Sequence, residues 1–277
     1  MTKFYESFES IEDNFKKKDI PFNQPGFYDH PNFIEIERRC PEYLNNYARY
    51  VQLRPYSNTY LERAKKEIPI IANELHIELL RDGRQGACVD TSAVLSRILE
   101  REGYWNFIVK GSLTITYPKS SRIGKRYFWS VDEGDFVAGH AWVYAPPFYV
   151  VDITVKQQPH ESGESKWLPD CVLSTNAALA EPTVEDIISP EVRRYLLSHG
   201  VQKYHQLEKV NPKMVRFLEV FNTYQVEENQ TSLKYIPVAV SAPDCPLEEM
   251  IGISPKGMSA IETYENLVLP VLNKCRS

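Results

Sequence analysis

Apolar residues recur at helical spacing through residues 58–80, where Leu61, Ala64, Ile68, Ile71, Leu75 and Leu79 lie along one drifting face. Pro69 stands inside that run. It has no N–H to give and clashes with the preceding turn, so it predicts a kink or a fresh start there. After the loop RDGRQGA, a second helical run is predicted over 88–102, with Val94, Leu95, Ile98 and Leu99 inward and Gly103 as its cap. The period then changes to two. Residues 106–117 alternate and are β-rich, which predicts a strand, and AGHAWVYAPPFYVVDITV reads as a hairpin with Ala145, Pro146 and Pro147 at its tip. Between them, residues 112–139 are longer and more charged than a tight connection needs, which suggests a lid or substrate-recognition insert.

The two ends of the chain are less rhythmic. Phe4, Phe8, Ile11 and Phe15 predict a short amphipathic helix, and PFNQPGFYDHP reads as loop. Beyond Lys156, helices are predicted over 190–198, 212–221 and 259–272, with one strand over 235–240. The expected organisation is an α+β chain with an N-terminal extension (1–58), a core (59–156) and a mixed, mainly helical C-terminal region (157–277). With 277 residues, 43% of them hydrophobic, the chain is long enough to bury a core without staples. A net charge of −5 shows no broad claim on nucleic acid, and no apolar run is long enough to cross a bilayer. The N-terminus lacks the apolar core and cleavage site of a secretory signal. Five cysteines, odd in number and without a CxxC pair, make a poor disulfide framework and a poor zinc site. A reducing cytoplasm and no metal or cofactor are the expectations, and oligomeric state is left open.

Within this frame three residues carry chemistry. Cys88 opens a predicted helix, where unpaired backbone N–H groups and the positive end of the dipole favour a thiolate and face any oxyanion formed beside it. Gly86 lets the chain turn sharply in front of it, and Gln85 is a candidate oxyanion donor. Asp90, in the first turn, is assigned to capping or packing. With Tyr144 opposite Phe148 across a three-residue tip, His140 falls opposite Asp152, with Cβ atoms about 5 Å apart. That distance permits a hydrogen bond that fixes the imidazole tautomer, and Trp142 on the same face would roof the pair. Taken singly, Cys88 also reads as a small buried hydrophobe and the His–Asp pair as a structural contact. Together, on different elements, they have the form of a nucleophile, base and orienting acid. His30, His76, His160, His199 and His205 are scattered and read as surface or satisfied histidines.

The run Gly86-Ala87-Cys88-Val89-Asp90, with Leu95, Leu99, Gly103 and Gly111, followed by His140-Ala141-Trp142-Val143 and Val151-Asp152-Ile153-Thr154, resembles the transglutaminase-like superfamily. The matched stretch, 86–154, is a quarter of the chain. The resemblance implies a papain-like α+β core with Cys88 as nucleophile, His140 as base and Asp152 as orienter. It also implies acyl transfer or hydrolysis at an amide through a thioester, as in a protease, deamidase, amidase or transglutaminase, on a protein, peptide or small amide substrate. Ile153 stands where that family commonly has proline, and Tyr149 where it has an aromatic tryptophan. Arg84-Gln85-Gly86-Ala87-Cys88-Val89-Asp90 is similar, without its second glycine, to a segment of arylamine N-acetyltransferases, which implies acetyl-CoA as an alternative acyl donor. A transglutaminase-fold binding module that has lost turnover is the non-enzymatic alternative.

Overall fold

The computed structural model describes residues 7–132, 135–136, 139–161, 163–253 and 257–277. In chain order the helices of the first part are α1 (Phe8–Lys17), α2 (Pro31–Arg39), α3 (Leu44–Leu53), α4 (Asn58–Asp82) and α5 (Cys88–Arg101). The strands β1 (Phe107–Thr116), β2 (Arg126–Phe128), β3 (Val131–Asp132), β4 (Asp135–Phe136), β5 (His140–Ala145), β6 (Phe148–Asp152), β7 (Val172–Ser174) and β8 (Ala178–Ala180) follow. The last third holds α6 (Val184–Ile187), α7 (Pro190–Ser198), α8 (Gln206–Val210), α9 (Pro212–Val220), β9 (Thr223–Glu228), β10 (Thr231–Ser241), α10 (Ala260–Thr263) and α11 (Leu269–Arg276). One turn of π-helix, Tyr264–Val268, joins the last two.

The fold is α+β: a curled antiparallel half-barrel sheet with helical terminal regions. The sheet runs β7-β6-β5-β1-β10-β9-β8, with β2 also paired to β1. Side-chain alternation assigns its two faces. Ile108, Ala141, Val143, Ala145, Val151 and Ile153 pack with the apolar stripes of α4 and α5, whereas Phe107, Val109, Trp142 and Val150 pack with α1 and α3. The second layer is strongly aromatic, with Phe15 in ring contact with Phe22, Phe27, Phe33, Tyr43 and Tyr50.

Several expectations meet a different outcome. Helix α4 runs unbroken through Pro69, because the buried stripe of Ala64, Ile68, Ile71, Ala72, Leu75 and Leu79 outweighs the one hydrogen bond that proline forfeits. Helices α2 and α3, which the pattern did not predict, follow the segment read as loop; Pro31, the last residue of that segment, opens α2 at the position where a missing N–H costs nothing, and the His30 ring caps it by accepting from the Asn32 amide. Phe4 lies outside the described residues. The C-terminal region adds four strands to the sheet, and β10 pairs with β1 along its length from Ile108↔Ser241 to Thr116↔Ser232. Gly103 terminates α5 as expected: its φ is 81°, its N–H bonds the Glu100 carbonyl, and the Tyr104 N–H reaches back to Leu99.

The hairpin register also differs. Ala145 pairs with Phe148 and Val143 with Val151, with an irregularity between them, so the tip holds two residues, Pro146 and Pro147, instead of three. The shorter tip shifts the register by one from the one expected and the irregularity by one more, so beyond Val143 the total of two carries Asp152 toward Trp142. A shift of two keeps every side chain on its face, so His140, Trp142 and Asp152 still point the same way.

A candidate Cys-His-Asp site

His140 begins β5, and Asp152 ends β6. Their side chains meet: Nε2 of His140 donates to Oδ2 of Asp152 at 2.6 Å, with both residues almost fully buried. Asp152 is further held on both oxygens. The Tyr235 hydroxyl donates to Oδ2 at 2.9 Å, and the backbone N–H and hydroxyl of Thr154 both donate to Oδ1 at 2.9 Å. Four donors account for the full acceptor capacity of a carboxylate, which is what a buried charge requires. Burial alone would raise the Asp152 carboxyl, but His140 and the Thr154 donors hold it below the usual carboxylate range.

Burial alone would likewise push the His140 imidazolium down. The Asp152 charge and hydrogen bond, together with Cys88, lift it instead to about 10. Cys88 is among the groups that raise it, and Nδ1 is buried with no hydrogen-bond partner among the described residues. With Nε2 committed to the carboxylate, Nδ1 is the nitrogen left to exchange a proton with the thiol.

Cys88 is the first residue of α5, as its position after a glycine loop suggested. Gly86 has a φ of 70°, a left-handed conformation that only glycine adopts freely, and its N–H bonds the Gln157 carbonyl at 3.0 Å. That bond ties the loop before Cys88 to the segment following Asp152. No side chain caps the N-terminus of α5, so its first-turn amides have no intrahelical partner and are available to an oxyanion. Asp90 pairs with Arg84 at the surface, which satisfies its charge away from the imidazole.

The other sequence-predicted positions fall differently. Gln85 is exposed, and no hydrogen bond joins it to Cys88 or His140. Trp142 is 2% exposed, stacked beside His140 with ring centroids 6.3 Å apart and edge-on to Tyr235 at 5.1 Å. It is a wall holding the imidazole plane. Gly111 makes room for that wall: a Cβ there would lie 2.8 Å from the indole and 2.0 Å from the Ile236 carbonyl oxygen.

Three contributors were not foreseen. Thr154 stood inside the quoted VDIT run, and an aspartate that accepts from the backbone N–H two residues on is a recognisable local signal. Tyr235 lies 83 residues beyond Asp152 and carries no local signal. Phe128 comes from the 112–139 excursion, part of which returns as β2 along β1; its ring stands 6.3 Å from His140 and 5.8 Å from His160. Residues 133, 134, 137 and 138 of that excursion lie outside the described residues. His160 and His76 each bond a backbone carbonyl, of Val155 and Ile153, through one ring nitrogen, and the other nitrogen of each is buried without a hydrogen-bond partner, so they are only half satisfied.

Among the described residues, no group of three His, Cys, Asp or Glu side chains is placed to hold a metal ion, and no helix is long and apolar enough to cross a membrane. No family model, curated protein or solved structure matches the chain.

Proposed function

We propose that the chain is a thiol hydrolase or acyltransferase of transglutaminase-like type, in which Cys88, His140 and Asp152 act on an amide carbonyl through a thioester. The observation that carries this reading is the half-open imidazole: one nitrogen is committed to a fully satisfied carboxylate, and the other is buried without a hydrogen-bond partner on a ring whose titration Cys88 raises. In the cycle, the Cys88 proton rests on Nδ1 of the His140 imidazolium, held by Asp152, and the sulfur attacks the carbonyl carbon as thiolate. First-turn amides of α5 hold the oxyanion, the C–N bond breaks, and the imidazolium returns the proton to the leaving amine. Water, or a second amine, then gives its proton to Nδ1 as it attacks the thioester carbon, and the Cys88 sulfur leaves as thiolate beside the imidazolium. Asp152 stays ionised throughout and stabilises the imidazolium.

A papain-like core belongs to the same proposal; its support is the helix-borne thiol facing a sheet-borne His–Asp pair. The small exposure of Cys88, 5%, favours one second reading, a binding module of the same fold without turnover. Intact-mass alkylation by iodoacetamide at mildly acidic pH, mapped by peptide, separates them. Cys171 is an internal control, since burial and the charges of Asp152 and Asp170 push its thiol up to about 12. Under the enzyme reading Cys88 labels at least about tenfold faster than Cys171 and slows in His140→Ala. Labelling of Cys88 no faster than Cys171 overturns that reading and leaves the binding module. Transfer of acetyl from acetyl-CoA onto Cys88, without amide turnover, would redirect it to the N-acetyltransferase alternative.

A further inference from the structure

Strand β9 covers β10 only over Thr231 to Tyr235. Past that point β10 is paired with β1 on one side alone, and the space left beside it is closed by the end of α2, the start of α3 and the start of α9. The result is a half-open cavity of about 690 Å³. That volume lies in the range of small-molecule sites, roughly 300–1,000 Å³.

Its floor is apolar, formed by Met214, Phe217 and Val238, and its rim is cationic. Arg39, Lys213 and Arg216 line it together with one acid, Glu42, which Lys213 neutralises. Two positive charges remain in excess, on a chain whose net charge is −5. Arg39 also pairs with Glu35 outside the cavity, both exposed, an interaction of small free energy. Arg216 is exposed and forms no ion pair among the described residues. The first turn of α9 opens on the same space, its Asn211 cap accepting from the Lys213 amide at 3.0 Å.

An independent observation comes from Asn45, in the first turn of α3. It is only 7% exposed and lines the cavity, yet its side-chain amide has no hydrogen-bond partner among the described residues. Its amide atoms open on the cavity instead of being sealed in the core. A ligand oxygen in the cavity satisfies it.

We infer that this cavity is a binding site for a small organic phosphate, its oxyanion held by Arg216, Arg39 and Lys213, its remaining oxygen by the Asn45 amide, and its apolar body on Met214 and Phe217. A phosphomonoester carries about −1.5 to −2 charges near neutrality and can engage the unpaired Arg216 while competing with Glu35 for Arg39; a carboxylate carries only one. The planar fork of arginine suits phosphate oxygens. Nothing in this site touches Cys88, so it stands apart from the proposed thiol chemistry.

The test is calorimetric titration of the full chain with phenyl phosphate, benzoate and benzyl alcohol. Phenyl phosphate is expected to bind the most tightly, to weaken as salt is raised, and to lose at least about tenfold in affinity in Arg216→Ala, equivalent to roughly 1.4 kcal/mol. Asn45→Asp keeps the side-chain shape and places a negative charge against the ligand, so its loss should be larger still. Arg216 is exposed, so that variant tests the site even if the Asn45 variant folds poorly. Benzoate binding as tightly as phenyl phosphate overturns the phosphate assignment. Benzyl alcohol binding equally well, no heat with phenyl phosphate, or an unchanged affinity in Arg216→Ala overturns the site. Cys88→Ala should leave the affinity unchanged, so failure here and failure of the thiol chemistry are read separately.

Discussion

Helix α5 carries a buried charged cluster at each end, and the two are built differently. At its start, Cys88 faces His140, whose Nδ1 is left open while Asp152 closes Nε2. Toward its end, Arg97 has its donors engaged: Nη1 reaches Asp29 and Glu100, Nη2 reaches Asp29 and the Pro243 carbonyl, and Nε reaches the Cys245 carbonyl. Tyr28 donates to Glu100 at 2.7 Å. Both clusters bury charge and shift titrations, so neither property marks a reactive site by itself. What differs is an unsatisfied polar atom beside a nucleophile. The cluster at the end of α5 is a staple between the N-terminal segment, the helix and the loop near Cys245; the one at its start leaves Nδ1 of His140 without a hydrogen-bond partner.

That contrast is broken most strongly from the staple side. Arg97→Ala strands the buried Glu100 carboxylate and should cost about 3–5 kcal/mol in urea denaturation, with no effect on Cys88 alkylation beyond that from unfolding. A variant that unfolds at wild-type urea would show the staple to be dispensable. Next in size, Tyr235→Phe removes one charge-assisted hydrogen bond from Asp152 and should cost about 1.5–3 kcal/mol. It should also slow Cys88 alkylation, because the carboxylate that holds the imidazolium is then less well supported; unchanged labelling would confine Tyr235 to packing.

The pH dependence sharpens the comparison further, since the two ends lose stability over different pH intervals. His140 titrates higher folded than unfolded, so its contribution is complete below its ordinary 6.5 and is lost as pH rises toward about 10. Asp152 titrates lower folded, so its contribution is complete above its ordinary 3.8 and is lost as pH falls. Glu100 is raised by burial to about 7, with Arg97 and Tyr28 only partly offsetting this. Its folded form holds the proton longer than its unfolded form, and stability therefore falls as pH rises from about 4.5 to 7. Glu100→Gln should flatten that interval and leave the alkaline loss intact, whereas His140→Ala should remove the alkaline loss. Smallest of all, Glu191→Ala breaks an exposed pair with Arg194 and should change stability by about 0–0.5 kcal/mol.

Legibility in the sequence followed the range of the interaction. The start of α5 at Cys88, its glycine cap, β1, the 140–152 hairpin and α7 over Pro190–Ser198 are written in local periodicity and punctuation, and were read from them. Helices α2 and α3 were hidden because their stripes are interrupted by Asn, Arg and Glu and become apolar faces only against the Phe15 cluster. Strands β7 and β8 are three residues each, too short to show alternation.

By itself the sequence determined which residue types could meet. A thiol at a helix start and a His–Asp pair on one sheet face follow from periods of 3.6 and 2, which hold whatever the rest of the chain does. Even the shifted hairpin register preserved the pair, because a shift of two keeps sidedness. Only the tertiary structure decided how the pair is satisfied and what surrounds it. Tyr235 reaches Asp152 because β10 pairs with β1, and the cationic cavity exists because β9 stops short along β10. Both depend on contacts between residues far apart in the chain, whose free energy comes from burying shared surface, and local spacing carries no record of that.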